Sequence, residues 1–340
     1  MKPEIKFIQV NQVPIKILVY DDDDHGGGNE FDCHTKFNKQ RLIMMITGMV
    51  IQMDVSDFIL NEHCTGNPGE IEYYTDFLST LYSELKIPLI GISHAGHSRM
   101  PGCYSRPSIN SELFGLQAQI SHKAQFIRNH IDSTTKIILI GHSIGCYIIL
   151  ELLDRYPDIA RMVDHCILLY PTIDSIADTE SGRWNKKLIK YLIYPMLAVA
   201  YLFNFLLNDR TREQLFGAYL RYGGYDGLSE SFIRSATNLL DPYCIRAITL
   251  MASEEFDQVL QPKLHIIEAN ATKLSMFYGE SDPWVPLHSY HKIKDKIPPD
   301  SQLDIQLCLG QMLHAFMMQP DSIGKISQLT SNVIRNKWKL

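Results

Sequence analysis

The sequence predicts an α/β fold with a mostly parallel, doubly wound sheet and a helical cap inserted after the sixth strand. Short apolar runs alternate with stretches of helical periodicity, which is typical of strand–helix–strand units. Several runs are almost continuously apolar, as strands covered on both faces of a sheet are. The alternation stops over residues 172–271 and then resumes. This stretch is therefore the predicted cap, and residues 1–171 and 272–340 form the predicted core.

The strands are predicted from apolar runs bounded by turn-forming residues. The first two alternate polar and apolar residues and are separated by a tight turn near Asn11 and Gln12. One helix is expected over residues 113–131, where apolar residues recur at helical spacing after a cap at Asn110 or Ser111. The predicted strands are residues 5–10, 13–20, 42–46, 88–92, 136–140, 165–170, 274–278 and 303–309.

Composition narrows the function classes. The 340 residues are 45% hydrophobic and 21% charged, which predicts a packed core. A net charge of -6 without a long basic run argues against nucleic acid as a partner. Seven cysteines without a Cys-x-x-Cys pair favour reduced thiols in the cytosol over a zinc site or a disulfide framework. We expect no metal and no cofactor; a metal role for the aspartates at 21–24 is a minor alternative to a solvated connector.

Residues 141–145 read Gly-His-Ser-Ile-Gly and contain the candidate nucleophile, Ser143. The motif follows an apolar strand and precedes an apolar helical run, as the nucleophile turn of the α/β-hydrolase fold does. Glycines on either side of the serine permit a sharp, strained turn. A serine in this place predicts acyl transfer through a covalent intermediate.

The acid and the base are predicted from their order after the nucleophile. Asp282 lies in the loop after the seventh strand, where the acid that orients the base belongs. His314 lies after the last strand, where the general base belongs. Asp174, in the loop after the sixth strand, is the competing candidate for the acid.

Two backbone N–H groups are needed to bind the oxyanion of the reaction intermediate. One is expected from Ile144, the residue after the nucleophile. The other is expected from Asn67, in the glycine-rich loop at 65–69 that follows the third strand. An ordinary Pro-Gly turn is the alternative interpretation of that loop.

Six short strings together resemble one family, the lipid droplet-associated hydrolases, from about residue 42 to the C-terminus. The resemblance implies an α/β-hydrolase fold, residence on lipid droplets and the endoplasmic reticulum, modest hydrolytic activity, and a role in sterol ester and neutral lipid turnover. Ser143, Asp282 and His314 match its motifs. The strings are Gly-Asn-Pro-Gly at 66–69, Ile-Ser-His-Ala-Gly-His at 92–97, Ile-Gly-His-Ser-Ile-Gly at 140–145, Pro-Thr-Ile at 171–173, Asp-Pro-Trp at 282–284 and His-Ala-Phe at 314–316.

The sequence departs from this family at residues 49–66, which follow a Thr-Gly dipeptide at 47–48 and end with a second one at 65–66. The family runs directly from the third strand into the Gly-Asn-Pro-Gly loop. Residues 49–66 are therefore predicted to be an insertion, either a retained intron or a surface loop. The insertion lies where the oxyanion donor must be held closely.

Residues 188–207 contain one charge, Lys190, and are otherwise almost entirely apolar or aromatic. The segment is long enough to span a bilayer, but one crossing would separate Ser143 from Asp282 and His314. It is therefore expected to form a hairpin or bent helix broken at Pro195, or to lie in the interface. A buried cap helix is the alternative. The predicted contacts with lipid are Leu192, Ile193, Pro195, Phe203 and Leu206, flanked by basic residues at 183, 186, 187, 210 and 212.

Two functions follow from these observations. The first is a serine esterase or lipase that acts on neutral lipids, with sterol esters as the expected substrate. It would work at the cytosolic face of lipid droplets and the endoplasmic reticulum. The second is a droplet-bound binding or scaffold protein with little activity. The order of Ser143, Asp282 and His314 favours the first, and the insertion at 49–66 favours the second.

Overall fold

The computed structural model describes residues 3–22, 36–37, 39–48, 69–102, 106–223, 227–298, 300–308 and 312–340. Several predictions fall outside this range. They are Asn67, the insertion at 49–66, residues 23–28 of the connector loop, and Leu309 at the end of the last predicted strand.

The described residues form one eight-stranded sheet, which confirms the predicted α/β-hydrolase fold. The strand order is β1-β2-β4-β3-β5-β6-β7-β8. The first two strands and the β2–β4 pair are antiparallel, and the other pairs are parallel. All eight predicted strands are present, with ends within two residues of the prediction over the described range. The strands are β1 Glu4–Val10, β2 Val13–Tyr20, β3 Arg41–Ile46, β4 Leu89–Ile92, β5 Lys136–His142, β6 Val163–Leu169, β7 Leu274–Gly279 and β8 Asp304–Cys308.

Helices cover both faces of the sheet. Alternate residues of the central strands face opposite sides, because side chains alternate along a strand. In β3, Leu42 and Met44 therefore pack into one apolar cluster, and Ile43 and Met45 into the other. The helices are α1 Thr75–Leu85, α2 Ser111–Phe114, α3 Leu116–His130, α4 Ile144–Arg155, α5 Pro157–Met162, α6 Glu180–Leu206, α7 Asp209–Tyr222, α8 Glu230–Asn238, α9 Pro242–Gln258, α10 Leu264–Ala269, α11 Leu287–Lys294 and α12 Pro320–Trp338.

The single helix expected over residues 113–131 is interrupted, so that part of the prediction is wrong. Asn110 caps α2 through its side chain, which accepts a hydrogen bond from the backbone N–H of Leu113 at 3.0 Å. Gly115 then adopts an extended conformation, with φ −69° and ψ 171°. The carboxylate of Glu254 lies against it and accepts a hydrogen bond from Leu116 N at 2.8 Å. A distant acidic side chain thus ends one helix and caps the next.

The apolar segment at 188–207 lies mostly in α6, which continues through Pro195. The expected hairpin is therefore wrong. Proline removes the hydrogen bond that its missing N–H would give to Tyr191 and crowds the Tyr191 carbonyl, but the remaining helical bonds hold the helix. Among the described helices, α6 is the one that is long and apolar enough to cross a membrane, judged by length and composition alone.

The exposure of α6 does not fit a buried cap helix. Only 11% of its most apolar window is buried. Leu192, Pro195 and Leu206 are exposed, whereas Ile193 and Phe203 are half-buried. Further large side chains on this helix and on α7 are also exposed. They are Tyr191, Tyr194, Val199, Tyr201, Leu202, Phe205, Leu215, Tyr219 and Tyr222.

Candidate active site

Ser143 occupies the sharp turn between β5 and α4. Its backbone has φ 53° and ψ −123°, a strained combination for a residue with a side chain. The turn is held by a hydrogen bond from Ser143 N to Leu169 O at 3.0 Å. A Cβ atom at Gly145 would lie 2.4 Å from Ile46 O, so only glycine permits this approach of α4 to β3. The turn can therefore present the Ser143 hydroxyl at the carboxyl edge of the sheet.

His314 and Asp282 are brought together by the loops after β8 and β7. His314 Nδ1 lies 2.6 Å from Asp282 Oδ2. The other carboxylate oxygen, Asp282 Oδ1, accepts hydrogen bonds from Trp284 N at 2.8 Å and Val285 N at 3.0 Å. A proton on Nδ1 shared with this carboxylate leaves the lone pair of Nε2 available to act as a base. Within the described residues, the buried Nε2 has no hydrogen-bond partner.

His142, next to the nucleophile, fixes the loop that carries His314. Its Nε2 lies 3.0 Å from His314 O, and its Nδ1 lies 2.7 Å from the hydroxyl of Tyr74. Tyr74 in turn accepts a hydrogen bond from Gly48 N at 3.1 Å. Burial lowers the pKa of His142 well below its usual value, so the ring is neutral. Four segments of the chain are thus tied together directly beside Ser143.

The chain after β3 approaches the nucleophile closely. A Cβ atom on Gly48 would lie 2.6 Å from Ser143 Cβ, so a side chain has no room there.

Of the two predicted oxyanion donors, only one lies among the residues that the structure describes. Ile144 is buried at the first turn of α4, whereas Asn67 lies outside the described residues.

The two ends of the segment that contains the predicted insertion meet in space. The Thr47 hydroxyl donates a hydrogen bond to Gly69 O at 3.1 Å. If residues 49–66 were absent, four residue steps would separate Thr47 from Gly69. Four steps span up to about 14 Å, so the shortened chain could close this gap.

The Ser-His-Ala-Gly-His string at 93–97 packs against Gly69. His94 N donates a hydrogen bond to Gly69 O at 2.9 Å, and a Cβ atom on Gly69 would lie 2.4 Å from the His94 ring. Lys123 donates from Nζ to Ser93 O at 2.9 Å, and burial lowers the pKa of this amine to about 7. The string therefore contacts the turn at Gly69.

Asp174 has a different partner from the one that a triad acid requires. Its Oδ1 lies 2.6 Å from Lys292 Nζ, and the pair is half-buried. The geometry thus brings Asp282, and not Asp174, to the imidazole of His314.

Sequence reasoning missed two groups near Ser143. His142 and Tyr74 form the brace just described, and only the place of His142 in the glycine-flanked motif hinted at its role. Thr172 lies after β6, with its hydroxyl 3.5 Å from Ser143 Oγ and its N–H donating to Ser143 O at 3.4 Å. No pattern in the sequence predicts that contact.

Access to the site is narrow. Ser143 is 0% exposed, and both Asp282 and His314 are 3% exposed. A cavity of about 10 Å³ lies beside Thr172, which is room for about one water molecule and far less than a ligand pocket needs. The short helical turn at Ile176–Asp178 supplies part of its wall. Its lining residues are Pro171, Thr172, Asp174, Ser175, Ile176, Thr179, Trp284, Val285 and Ser289.

Comparisons with known proteins agree on one family. A sequence profile described as "Lipid-droplet associated hydrolase" matches residues 61–317. A lipid droplet-associated hydrolase from Gallus gallus is 34% identical over 278 residues, which cover 80% of this chain and 83% of that protein. The Homo sapiens protein of the same description is 33% identical over 263 residues, covering 74% and 78%. The resemblance found in the sequence is confirmed.

A solved structure supports the fold. The chain is similar to a serine hydrolase from Cycloclasticus zankles, with a TM-score of 0.57 and 13% sequence identity. The match covers 98% of both chains. At this identity, the likeness concerns the fold alone.

The two candidate acids can be separated by paired substitutions. Asp282→Asn is expected to lower kcat by about 10³- to 10⁴-fold, because the amide no longer fixes the tautomer of His314. Asp174→Asn removes only the pair with Lys292 and should change kcat by less than about tenfold. Ester hydrolysis by the two purified variants measures the difference. The reverse ranking would transfer the role of the acid to Asp174.

Deleting residues 49–66 joins Gly48 to Asn67. We expect the shortened protein to fold, because the two ends already meet at Thr47 and Gly69. Its activity should be unchanged or higher, because a closely placed oxyanion donor is worth about a hundred- to a thousand-fold in rate. Thermal unfolding and ester hydrolysis test this expectation. Loss of activity in a folded deletion variant, together with transcripts that always include the segment, would show that the segment is part of the working protein.

Proposed function

The chain belongs to the lipid-droplet associated hydrolase family, and from this premise we propose that it hydrolyses ester bonds of neutral lipids through an acyl intermediate on Ser143. Sterol esters are the proposed substrate, and lipid and cholesterol homeostasis is the proposed role. The observation that carries the proposal is the His314–Asp282 hydrogen bond beside the strained turn at Ser143.

The proposed reaction uses each residue in turn. His314 Nε2 takes the proton of the Ser143 hydroxyl while Ser143 Oγ attacks the ester carbonyl. Asp282 stabilises the imidazolium that forms. The N–H of Ile144, at the positive end of α4, stabilises the oxyanion. The C–O bond to the alcohol breaks, and the alcohol leaves with the proton from His314. Water, activated by the same imidazole, then releases the fatty acid.

A lipid surface is the proposed site of action, on droplets and on the cytosolic side of the endoplasmic reticulum. Support comes from the exposed apolar face of α6, where Tyr194 is 79% exposed and Phe205 is 86% exposed. A patch of this kind marks an interaction surface. Ser143 precedes α6 in the chain and His314 follows it, yet both belong to one site. We therefore propose that α6 lies in the interface and does not cross it.

Basic side chains flank the apolar face at both ends. Arg183, Lys186, Lys187 and Arg210 are exposed and suit anionic head groups. Arg212 does not belong to this set, although the sequence suggested it. It is 4% exposed and binds Asp209 and Asn204. The basic flank after α6 therefore contains only Arg210 among the predicted residues.

The second candidate function is a droplet-bound scaffold with little activity. The buried Ser143 and the small neighbouring cavity favour it, because a lipid ester cannot reach the hydroxyl without movement of the residues around it. The two candidates differ in one measurement, the reaction of Ser143 with an activated phosphonate.

A fluorophosphonate probe tests the enzyme proposal directly. The wild-type protein, presented with lipid droplets or detergent micelles, is expected to be labelled. Ser143→Ala should abolish labelling and lower esterase activity by about 10⁵- to 10⁶-fold, since the covalent step is lost. Removal of one oxygen leaves packing almost unchanged, so the thermal unfolding midpoint serves as the control. A folded wild-type protein that never reacts would favour the scaffold.

Two matched double variants test the lipid-contacting face. Leu202 and Leu206 are 57% and 63% exposed on α6, and Leu260 and Leu340 are both 54% exposed elsewhere. Leu202→Ser with Leu206→Ser should weaken droplet binding about a hundredfold, because burial of two leucines in lipid contributes about 3 kcal/mol. Leu260→Ser with Leu340→Ser should leave binding unchanged. Equal flotation of both variants with droplets would contradict the assignment of α6.

A further inference from the structure

The side chain of His142 connects the nucleophile turn to the residue that carries the base. His142 directly precedes Ser143 in the chain, and its Nε2 lies 3.0 Å from the backbone oxygen of His314. The ring centres of the two histidines are 5.1 Å apart. One side chain therefore spans the gap between the segment with the reacting hydroxyl and the segment with the reacting imidazole.

The partners of His142 determine where its proton lies. A backbone carbonyl can only accept a hydrogen bond, so the contact with His314 O requires a proton on His142 Nε2. Burial lowers the pKa of His142 well below its usual value, so the ring is neutral and carries one proton. The other nitrogen, Nδ1, is therefore an acceptor, and the Tyr74 hydroxyl 2.7 Å away donates to it.

Tyr74 is bound on its other side by the residues after β3. Its oxygen accepts a hydrogen bond from Gly48 N at 3.1 Å, and its single hydroxyl proton is left for His142 Nδ1. Burial raises the pKa of Tyr74, so the hydroxyl keeps that proton. These groups form a hydrogen-bond chain that runs in one direction from Gly48 N to His314 O, and each bond in such a chain strengthens the next.

Aromatic rings hold the His142 ring in this orientation. The rings of Tyr170 and Phe316 stand nearly perpendicular to it, with ring centres 6.0 and 5.4 Å away. All three side chains are 0% exposed. A flip of the imidazole would put carbon atoms in the places of both nitrogens and break both hydrogen bonds. Packing and hydrogen bonding therefore favour the same orientation.

We propose that His142 and Tyr74 are positioning residues for the proton transfer from Ser143 to His314. The hydrogen-bond chain holds the His314 backbone at a fixed distance from the nucleophile turn, while the hydrogen bond with Asp282 orients the imidazole. Tyr74 acts through His142, because loss of its hydroxyl removes one of the two bonds that hold the ring. This inference rests on the proposed function of Ser143 and His314.

Nitrogen NMR of wild-type protein that contains isotope-labelled histidine tests the proton arrangement. The His142 ring is expected to carry its proton on Nε2 throughout the range from about pH 6 to about pH 9. Its signals are identified by their absence from the His142→Gln variant. A proton on Nδ1, or a ring that becomes charged near neutral pH, would contradict the direction of the hydrogen-bond chain.

The rate of fluorophosphonate labelling in detergent micelles tests the role of Tyr74. Tyr74→Phe keeps the ring and should lower the rate by roughly tenfold, because a buried hydrogen bond to His142 is removed.

Tyr20→Phe is the matched control for Tyr74→Phe. Tyr20 is also 0% exposed, and its hydroxyl lies 3.1 Å from both Thr75 O and Ser79 Oγ, at the start of the helix that follows Tyr74. This variant should lower the thermal unfolding midpoint to a similar extent and leave the labelling rate unchanged. An equal loss of rate in both variants would show that labelling follows the stability of this region and would overturn the positioning role.

Variants of His142 separate its hydrogen-bond donor from its bulk. His142→Gln supplies an amide N–H in place of Nε2–H and should label within about tenfold of the wild-type rate. His142→Leu has no donor and should lower the rate by about a hundredfold. Equal rates for these two variants would contradict the role of Nε2.

A double variant tests whether Tyr74 acts through His142. Tyr74→Phe added to His142→Leu should cause little further loss, because both changes break the same hydrogen-bond chain. A full further tenfold loss would show that the two residues act independently. The histidine variants and the NMR measurement keep the test valid even if Tyr74→Phe folds poorly.

The outcomes distinguish the two proposals. No labelling of folded wild-type protein, or equal labelling of Ser143→Ala, overturns the proposed function itself. Labelling that depends on Ser143 but continues at the wild-type rate in Tyr74→Phe and His142→Leu overturns the positioning role alone.

Discussion

The strained backbone of Ser143 is the constraint on which the candidate site depends. A positive φ at a serine costs about 1–3 kcal/mol and persists only where the surroundings enforce it. Gly145 and Gly48 enforce it here, because β3 and the chain after it press against the turn with no room for a side chain. The hydrogen bonds of Ser143 with Leu169 and Thr172 complete the enclosure. The nucleophile turn, the loop after β3 and the end of β6 must therefore fold as one unit.

The fold could be predicted because local patterns determine it. Buried strands are apolar runs, and a glycine-flanked serine between a strand and a helix has few other structures open to it. The interruption at Gly115 could not be predicted in this way, since its cause is Glu254, 138 residues away from Leu116. The same holds for Thr172 and for the His142–Tyr74 brace, which depend on tertiary contacts between distant segments. The order of Ser143, Asp282 and His314 in the sequence could predict a site because each residue follows a strand, and the loops after parallel strands converge at one edge of the sheet.

The apolar helix shows where composition alone misleads. Pro195 suggested a break, but the lost hydrogen bond and the crowding at the Tyr191 carbonyl are local, and a helix of 27 residues retains its other bonds. Continuity matters for the surface that the helix presents. A hairpin would bury much of its apolar area against itself, whereas the continuous α6 leaves Tyr194, Leu202 and Phe205 exposed. Arg212 was predicted from its position after the apolar segment to face anionic head groups. Its side chain is instead buried and binds Asp209 and Asn204.

Burial keeps His142, the residue before Ser143, uncharged, and this affects the protonation of the His314 imidazole. His142, with its ring centre 5.1 Å from that of His314, is held neutral. If it were charged, it would repel the imidazolium that His314 becomes when it takes the serine proton. Asp282 is the carboxylate that contacts the imidazole, and it acts in a medium where charge interactions are stronger than in water. Proton transfer to His314 is thus favoured both by the buried, neutral ring of His142 and by the charged carboxylate of Asp282.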